Sequence, residues 1–285
     1  MKEISFQIST TAWCPGCGNF GIIQAMRNAL QELEKKTHEV LLVGGIGQAA
    51  KLPQYLSANG LCSLHGRALP GATGAKVANT ELDVLISSGD GDCYGEGGNH
   101  LLHTIRRNID LTLVVHNNQV YGLTQGQSSP TSDESFVTRT QPDGVTSRPL
   151  RGPALAIALG CGFVARSFSG DVDHLTEIIK HGVQYRGFSF IEVLQPCVSM
   201  NKQNTFAWYK KRVYRVNDDT DYDTGNRIAA FEIAEQWGDS IPIGIFYRQE
   251  GSTFEEKFPQ LAAGPLVKRP PRSIELLESL MNRFI

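Results

Sequence analysis

Short, continuous apolar runs alternate with amphipathic stretches along the first 200 residues. Apolar positions between Phe20 and Leu33 recur at the spacing of a helix. The continuous runs have no polar face and stop at Gly, Asn or Pro, which is typical of buried parallel strands. They are EVLLVGG (39–45), LDVLISS (82–88), IDLTLVVHN (109–117) and FSFIEVL (188–194), and helices are predicted between them at 71–78, 97–107, 153–159 and 172–185. This alternation predicts an α/β fold with a doubly wound, mostly parallel sheet.

The pattern weakens in two places. Residues 119–151 are rich in Gly, Ser, Thr, Pro and Gln without periodicity, which predicts one long loop that leaves the end of a strand. Loops of that length inside a domain are usually functional. Beyond Met200 the sequence becomes a mixture of aromatic, basic and acidic residues. We therefore predict an α/β domain over residues 1–200 and a C-terminal extension over residues 201–285 that packs on this domain or on a partner subunit.

Composition and charge narrow the classes of protein. The 285 residues are 41% hydrophobic and 20% charged, and 27 basic residues nearly balance 29 acidic ones. This balance gives no electrostatic reason to expect binding to nucleic acid or to an anionic membrane surface. No run of about 18 apolar residues occurs, and the opening sequence MKEISFQIST has no apolar signal-peptide core. We expect a cytoplasmic protein, and in that reducing compartment the six cysteines favour metal or redox chemistry over disulfides.

Two predicted strands end in sequences that fit a phosphate and metal site. GDGDCYGEGGNH (89–100) follows one strand, and HNNQVYGLT (116–124) closes the next. Gly89 and Gly91 allow the backbone to approach a diphosphate, and Asp90 places a carboxylate at a strand's carboxyl end, where ligands of open α/β sheets bind. Asp90, the Asn118 side chain and the Val120 carbonyl form an oxygen donor set that suits Mg²⁺. GDG alone is also a common surface turn, but GDG followed by NN after the next strand resembles the thiamine diphosphate-binding motif.

Longer stretches of sequence resemble one family. They are WCPGCGNFGI (13–22), GGIGQAAKLP (44–53), LHGRALPGATG (64–74), NNQVYGLTQGQSSPTS (117–132) and QPC (195–197). Over about residues 10 to 215 the sequence resembles the β subunit of 2-oxoacid:ferredoxin oxidoreductases, a group that covers pyruvate, 2-oxoglutarate and branched-chain 2-oxoacid enzymes.

The resemblance implies an activity, its cofactors and its partners. The activity is oxidative decarboxylation of a 2-oxoacid, such as 2-oxoglutarate or pyruvate, with coenzyme A accepting the acyl group. The implied cofactors are thiamine diphosphate, Mg²⁺ and a [4Fe-4S] cluster that passes electrons to ferredoxin. The implied partner is an α subunit that carries the pyrimidine-binding domain, so this chain should be inactive alone.

The resemblance also assigns roles to single residues. His65 matches a histidine near the reacting end of the cofactor, where an imidazole transfers protons or stabilises negative charge. Without the family, a solvated loop residue would be the favoured interpretation of His65. Lys51 matches a position near the substrate, although it also fits a plain surface lysine, and we expect Leu123 and Gln125 to face the substrate as well. Asp90, Asn118 and Val120 match the Mg²⁺ ligands, and the other matched cofactor-binding positions are Gly47, Gln48, His65, Gly89, Gly91, Asp92, Gly122, Leu123 and Thr124.

Three cysteines match iron–sulfur cluster ligands of this family. Cys14, Cys17 and Cys197 stand at three of the four ligand positions, whereas Gln48 occupies the fourth. An amide is a poor ligand here, because iron–sulfur clusters take soft thiolates. Three outcomes stay open: a [4Fe-4S] cluster with an unusual fourth ligand, a labile or three-iron cluster, or no cluster.

The remaining cysteines and two histidines have simpler interpretations. Cys62 is a candidate substitute ligand, whereas Cys93 and Cys161 are predicted to be small buried residues. CPGC also fits a structural zinc site, but only three cysteines match and no pair of histidines accompanies them. His100 and His103 would share one face of a helix, where packing or exposure to solvent explains them better than a metal.

Two other functional classes compete with the oxidoreductase. One is a decarboxylase or carboligase subunit that uses thiamine diphosphate without a cluster, and Gln48 is the observation that favours it. The other is a non-enzymatic subunit that has kept the fold. The complete pair of Asp90 and Asn118 argues against this second class.

Overall fold

The computed structural model describes residues 5 to 284 and places an eight-stranded sheet between two layers of helices. The strands of this sheet are β1 (Val40–Gly44), β2 (Asn59–Cys62), β3 (Asp83–Gly89), β4 (Leu111–Asn117), β7 (Phe163–Phe168), β8 (Phe188–Leu194), β9 (Val213–Arg215) and β10 (Ile241–Arg248), and a separate hairpin pairs β5 (Val120–Tyr121) with β6 (Gln127–Ser128). The helices are α1 (Asn19–Glu32), α2 (Leu52–Tyr55), α3 (Ala68–Ala78), α4 (Gly98–Arg107), α5 (Gly152–Ala158), α6 (Val172–Gln184), α7 (Phe206–Lys210), α8 (Arg227–Glu235), α9 (Pro259–Ala262) and α10 (Ile274–Met281).

The order and direction of the strands confirm the predicted doubly wound, mostly parallel sheet. The order is β2-β1-β3-β4-β8-β7-β10-β9, and the first six strands in this order are all parallel to one another. Strand β10 runs antiparallel to β7, and β9 is parallel to β10. Because β2 and β3 lie on opposite sides of β1, the loops that follow β1 and β3 separate. Ligands of open α/β sheets bind in the crevice at such a point.

Helices cover both faces of the sheet and create two hydrophobic cores. Helices α1 and α6 pack on one face, whereas α3, α4, α5 and α8 pack on the other. Along β4, Leu113 and Val115 point into the second core and Val114 points into the first, which follows the two-residue period of a strand. Among residues 5–284, the structure contains no helix with the length and apolarity that a membrane span needs.

The apolar pattern missed four strands of the sheet, namely β2, β7, β9 and β10, and the two longest of them, β7 and β10, each have a local cause. Strand β7 carries the charged residue Arg166 in its middle. This side chain is fully buried, and its charge is offset by Glu192 of β8 at 2.9 Å. Strand β10 contains Pro242 and Gly244, and its register with β7 shifts between Ile245 and Tyr247. Residues beyond 200 therefore add strands to the same sheet, while the domain boundary at residue 200 stays a prediction.

A buried histidine connects the start of α1 with the centre of the sheet. His116 of β4 is fully buried, and burial lowers its pKa to about 3. Its Nδ1 lies 2.8 Å from the Asn19 side-chain oxygen, and its Nε2 lies 3.0 Å from the Ser87 hydroxyl. The neutral ring thus joins the segment after the CPGC sequence to the strands that lead into GDG and NN.

The lowered pKa of His116 predicts a loss of stability in acid. The unfolded chain takes up this proton below pH 6.5 and the folded chain only near pH 3, so a fall in pH through this range favours unfolding by up to about 1.4 kcal/mol per pH unit. His116→Gln, which keeps hydrogen-bonding capacity, should lack this contribution. Thermal unfolding as a function of pH measures it, and the same replacement of the exposed His38 is the matched control. If the melting temperatures of wild type and His116→Gln fall equally as the pH decreases, His116 does not cause the loss of stability in acid.

Candidate functional site

Loops at the carboxyl ends of β1, β3 and β4 line a cavity of about 130 Å³ that is open on one side. His65, which lies between β2 and α3, completes its wall, and the side chain is half-buried. Lys51 and Gln125 do not line the cavity. The cavity therefore brings together the predicted residues Gly47, Gln48, His65, Gly89, Asp90, Gly91, Asp92, Asn118, Val120, Gly122, Leu123 and Thr124.

Asp90 is buried at the end of β3, and hydroxyl groups hold one of its two carboxylate oxygens. The Ser129 and Thr131 hydroxyls each donate to Oδ2 at 2.5 Å. Burial raises the pKa of the Asp90 carboxyl to about 6, although these hydrogen bonds act in the opposite direction. Both hydroxyls bind Oδ2, whereas Oδ1 accepts no side-chain hydrogen bond from residues 5–284 and can face a cation. A metal ion would supply the positive charge that offsets the cost of burying the carboxylate.

Asn118 and Val120 form a tight turn directly after β4. The Asn118 side-chain oxygen accepts a hydrogen bond from the Val120 amide at 3.0 Å, and this oxygen retains a second lone pair. Both residues line the same cavity as the loop that follows β3. Carboxylate, amide and backbone oxygens are hard donors, so this set fits Mg²⁺.

Asp92 connects the loops that surround the cavity. Its Oδ1 accepts from the backbone amides of Ile46 at 3.1 Å and Gly66 at 2.8 Å, and its Oδ2 accepts from the Ser88 hydroxyl at 2.5 Å. His65 Nε2 lies 3.6 Å from the same Oδ1, which is beyond hydrogen-bond length. The carboxylate thus holds the β1 loop and the His65 segment against β3.

Asp92→Asn should destabilise the fold. The carboxylate accepts three hydrogen bonds with its two oxygens, whereas an amide has only one acceptor oxygen and accepts more weakly. We expect the free energy of unfolding to fall by about 1–3 kcal/mol. Denaturant unfolding of the purified chain measures the loss. An unchanged midpoint would show that the three contacts of Asp92 do not hold the loops.

Three contributors to the site were missed at the level of sequence. Tyr121 lines the cavity and packs edge-on to His65, with ring centroids 6.2 Å apart. A Cβ at Gly91 would come within 2.3 Å of the Tyr121 ring, so this glycine makes room for the tyrosine. Ser129 and Thr131, which bind Asp90, belong to the long loop. Its Ser- and Thr-rich sequence was the available signal, but no periodicity indicates which hydroxyl reaches the carboxylate.

The cysteine-bearing segments lie against each other. The Gly18 amide donates to the Pro196 carbonyl at 3.2 Å, and the Gln195 side chain donates to Cys17 Sγ at 3.5 Å. Burial raises the pKa of the Cys17 thiol to about 11, and the neighbouring Cys197 and Cys14 add to this effect. Within residues 5–284, however, no three Cys, His, Asp or Glu side chains are gathered closely enough to hold a metal. The three thiols are neighbours, and they would have to move together to bind a cluster.

Gln48 lies beside this group and also lines the cavity. Its backbone carbonyl accepts a hydrogen bond from Trp13 Nε1 at 2.8 Å, which connects it to the residue before Cys14. Its side-chain oxygen Oε1 is buried without a hydrogen-bond partner in the described part of the chain. Cys62 is exposed, whereas Cys93 and Cys161 are buried, and their burial confirms that prediction.

Two protein-family models match the chain. The C-terminal binding domain of thiamine pyrophosphate enzymes matches residues 43–193, which include every loop of the cavity. The C-terminal region of the pyruvate ferredoxin oxidoreductase β subunit matches residues 197–263. The fold and the site therefore define a thiamine diphosphate-binding domain.

Relatives define the family more narrowly. The 2-oxoacid:ferredoxin oxidoreductase subunit β of Saccharolobus solfataricus is 43% identical over 274 residues, which are 92% of this chain and 90% of that protein. The 2-oxoglutarate synthase subunit KorB of Archaeoglobus fulgidus is 37% identical over 251 residues, which are 86% of this chain and 94% of that protein. The chain belongs to the β subunits of 2-oxoacid:ferredoxin oxidoreductases, and it is an oxidoreductase subunit.

A solved structure agrees in fold. The 2-oxoglutarate:ferredoxin oxidoreductase from Magnetococcus marinus, solved with 2-oxoglutarate, coenzyme A and succinyl-CoA bound, superposes with a TM-score of 0.90. The sequences are 31% identical, and the match covers 98% of this chain and 97% of that chain.

Proposed function

We propose that this chain is the subunit that holds the diphosphate and Mg²⁺ of thiamine diphosphate in an enzyme that oxidatively decarboxylates a 2-oxoacid, 2-oxoglutarate or pyruvate, to the acyl-CoA. The observation that carries the proposal is the joint placement of Asp90, Asn118 and Val120 around one cavity at the carboxyl edge of the sheet. Bound thiamine diphosphate supplies the carbanion chemistry of decarboxylation. The chain itself supplies binding, orientation and proton transfer.

Each part of the cavity has a role in this proposal. Asp90, Asn118 and the Val120 carbonyl hold Mg²⁺, and the backbone around Gly89 and Gly91 receives the diphosphate. His65, half-buried at the wall, holds or donates a proton near the reacting carbon, and Asp92 keeps the His65 segment in place. Leu123 lies at the open side of the cavity, where the substrate enters.

The cavity needs a second chain to close it. Its open side and the neighbouring segment expose Ile46, Leu64 and Leu123, with Leu64 74% exposed. Large exposed apolar residues grouped at a binding site are typical of an interaction surface. This supports an α subunit that covers the cavity and carries the pyrimidine-binding domain. We expect this chain to co-purify with that α subunit and to lose bound thiamine diphosphate when the two subunits are separated.

We further propose that Cys14, Cys17 and Cys197 hold an iron–sulfur cluster that passes electrons to ferredoxin. The contact between the two cysteine-bearing segments supports this site, and an iron–sulfur cluster supplies one-electron transfer. Gln48 stands where a fourth thiolate is expected, so the cluster has three cysteine ligands.

A decarboxylase or carboligase without a cluster is the second candidate, favoured by Gln48. Iron and acid-labile sulfide assays with EPR on anaerobically purified protein separate the two. The first candidate predicts iron and sulfide in every cofactor-loaded assembly. Full occupancy by thiamine diphosphate without iron would exclude the cluster.

A further inference from the structure

Gln119 stands between Asn118 and Val120 in a backbone conformation that is unusual for its residue type. Its φ is +59°, in the left-handed region that residues with a Cβ adopt at a cost. Its side chain is only 1% exposed, and it does not line the cavity. A buried residue keeps a costly conformation only when its surroundings hold it there.

Contacts from two directions hold Gln119. Its side-chain amide Nε2 donates to the Thr131 carbonyl at 2.8 Å, and its Oε1 accepts from the Tyr209 hydroxyl at 3.2 Å. Its backbone carbonyl accepts from the Ser132 hydroxyl at 2.6 Å. Because the Thr131 hydroxyl binds Asp90, Gln119 connects the turn after β4 to the loop that orients the Asp90 carboxylate.

The contact from Tyr209 brings the C-terminal extension into the site. Tyr209 lies on α7, is 1% exposed and packs against Phe168 at a ring-centroid distance of 5.6 Å, so its hydroxyl is held in place. A second residue of the extension, Asn201, reaches the same turn, since its side chain donates to the Asn118 carbonyl at 3.2 Å. Both side chains contact the turn from behind the cavity.

We propose that Gln119 and Tyr209 are positioning residues of the Mg²⁺ and diphosphate site. The Tyr209 hydroxyl and the Thr131 carbonyl hold Gln119 in its left-handed conformation, and that conformation keeps Asn118 and Val120 at the cavity. This inference rests on the proposed function, because its effect is on metal-dependent binding of thiamine diphosphate.

Four single variants of the purified enzyme assembly test the inference. They are Gln119→Gly, Gln119→Ala, Tyr209→Phe and the control Tyr222→Phe, which removes a hydroxyl that donates to the Phe246 carbonyl elsewhere in the extension. The measurement is the Mg²⁺ concentration that half-saturates thiamine diphosphate binding, determined by calorimetry. Melting temperatures without cofactor separate this effect from global stability.

Gln119→Gly and Gln119→Ala differ in how easily the backbone adopts a positive φ. Both lose the side-chain hydrogen bonds, but glycine adopts a positive φ without strain and alanine does not. Gln119→Ala should therefore need roughly five- to thirtyfold more Mg²⁺ than Gln119→Gly. Tyr209→Phe should need about five- to tenfold more than wild type, because the buried Gln119 oxygen loses its donor. Tyr222→Phe should match wild type.

Equal Mg²⁺ requirements for Gln119→Ala and Gln119→Gly, or a wild-type requirement for Tyr209→Phe, would overturn the inference. If Gln119→Ala does not fold, the comparison of Tyr209→Phe with Tyr222→Phe decides alone. A wild-type assembly that binds no thiamine diphosphate in the presence of Mg²⁺ would instead refute the proposed function.

Discussion

Asp90→Asn should abolish measurable Mg²⁺-dependent binding of thiamine diphosphate while the fold persists. The amide has the shape of the carboxylate but lacks the charge that attracts the cation. Removal of a residue that merely orients a metal ligand costs 10–100-fold in metal affinity, so loss of the ligand's own charge should cost about 100-fold or more. Calorimetric titration of the purified assembly measures this loss. Asp173→Asn, on the exposed first turn of α6, is the matched control and should bind as wild type does.

The pH dependence of the same titration provides an independent check. Since burial raises the Asp90 pKa to about 6, the carboxyl is protonated below that pH and competes poorly for Mg²⁺. Wild-type affinity should fall as pH decreases through 6, by up to about tenfold per pH unit. Undiminished binding by Asp90→Asn at neutral pH would refute Asp90 as the metal ligand.

Gln48→Cys should convert the three-cysteine site into a complete cluster site. The new thiolate would stand beside the Cys14 segment, because the Gln48 carbonyl accepts a hydrogen bond from Trp13. Soft thiolates bind iron far better than an amide oxygen does. We expect more iron and sulfide per chain than in wild type. We also expect the loss of cluster absorbance in air to slow by at least about tenfold, since even outer-shell changes alter metal affinity by 10–100-fold.

Gln48→Ser controls for removal of the glutamine without addition of a thiolate. It should lose iron at least as readily as wild type. If neither wild type nor Gln48→Cys contains iron and sulfide, the three cysteines do not form a cluster site, and the result favours a decarboxylase or carboligase.

The apolar pattern predicted the four central strands of the sheet and missed β2 at one edge and β7, β10 and β9 towards the other. Central strands such as β4 are buried on both faces and therefore read as continuous apolar runs. Strand β7 breaks this rule through Arg166, whose charge is tolerated because Glu192 lies beside it. That compensation comes from another strand, so no local pattern reveals it.

The site was predictable where motif and topology coincide. Asp90 and Asn118 follow neighbouring parallel strands, so the alternation of strands and helices already places them at one edge of the sheet. Residues that act through tertiary contacts were not predictable. Thr131 reaches Asp90, and Tyr209 reaches Gln119, only after the long loop and the C-terminal extension have packed on the sheet. Asp92 was expected at the diphosphate, and its hydrogen bonds to the Ile46 and Gly66 amides became apparent only in three dimensions.

The most direct test of the proposed function compares carbon dioxide release with electron transfer in the co-purified assembly. The assembly, loaded with thiamine diphosphate and Mg²⁺, is assayed anaerobically with 2-oxoglutarate and with pyruvate, in the presence of coenzyme A and a viologen dye. We predict that one of these acids gives carbon dioxide, acyl-CoA and two reduced one-electron viologens per turnover, and that omission of coenzyme A lowers the rate. Release of carbon dioxide without viologen reduction would contradict the account.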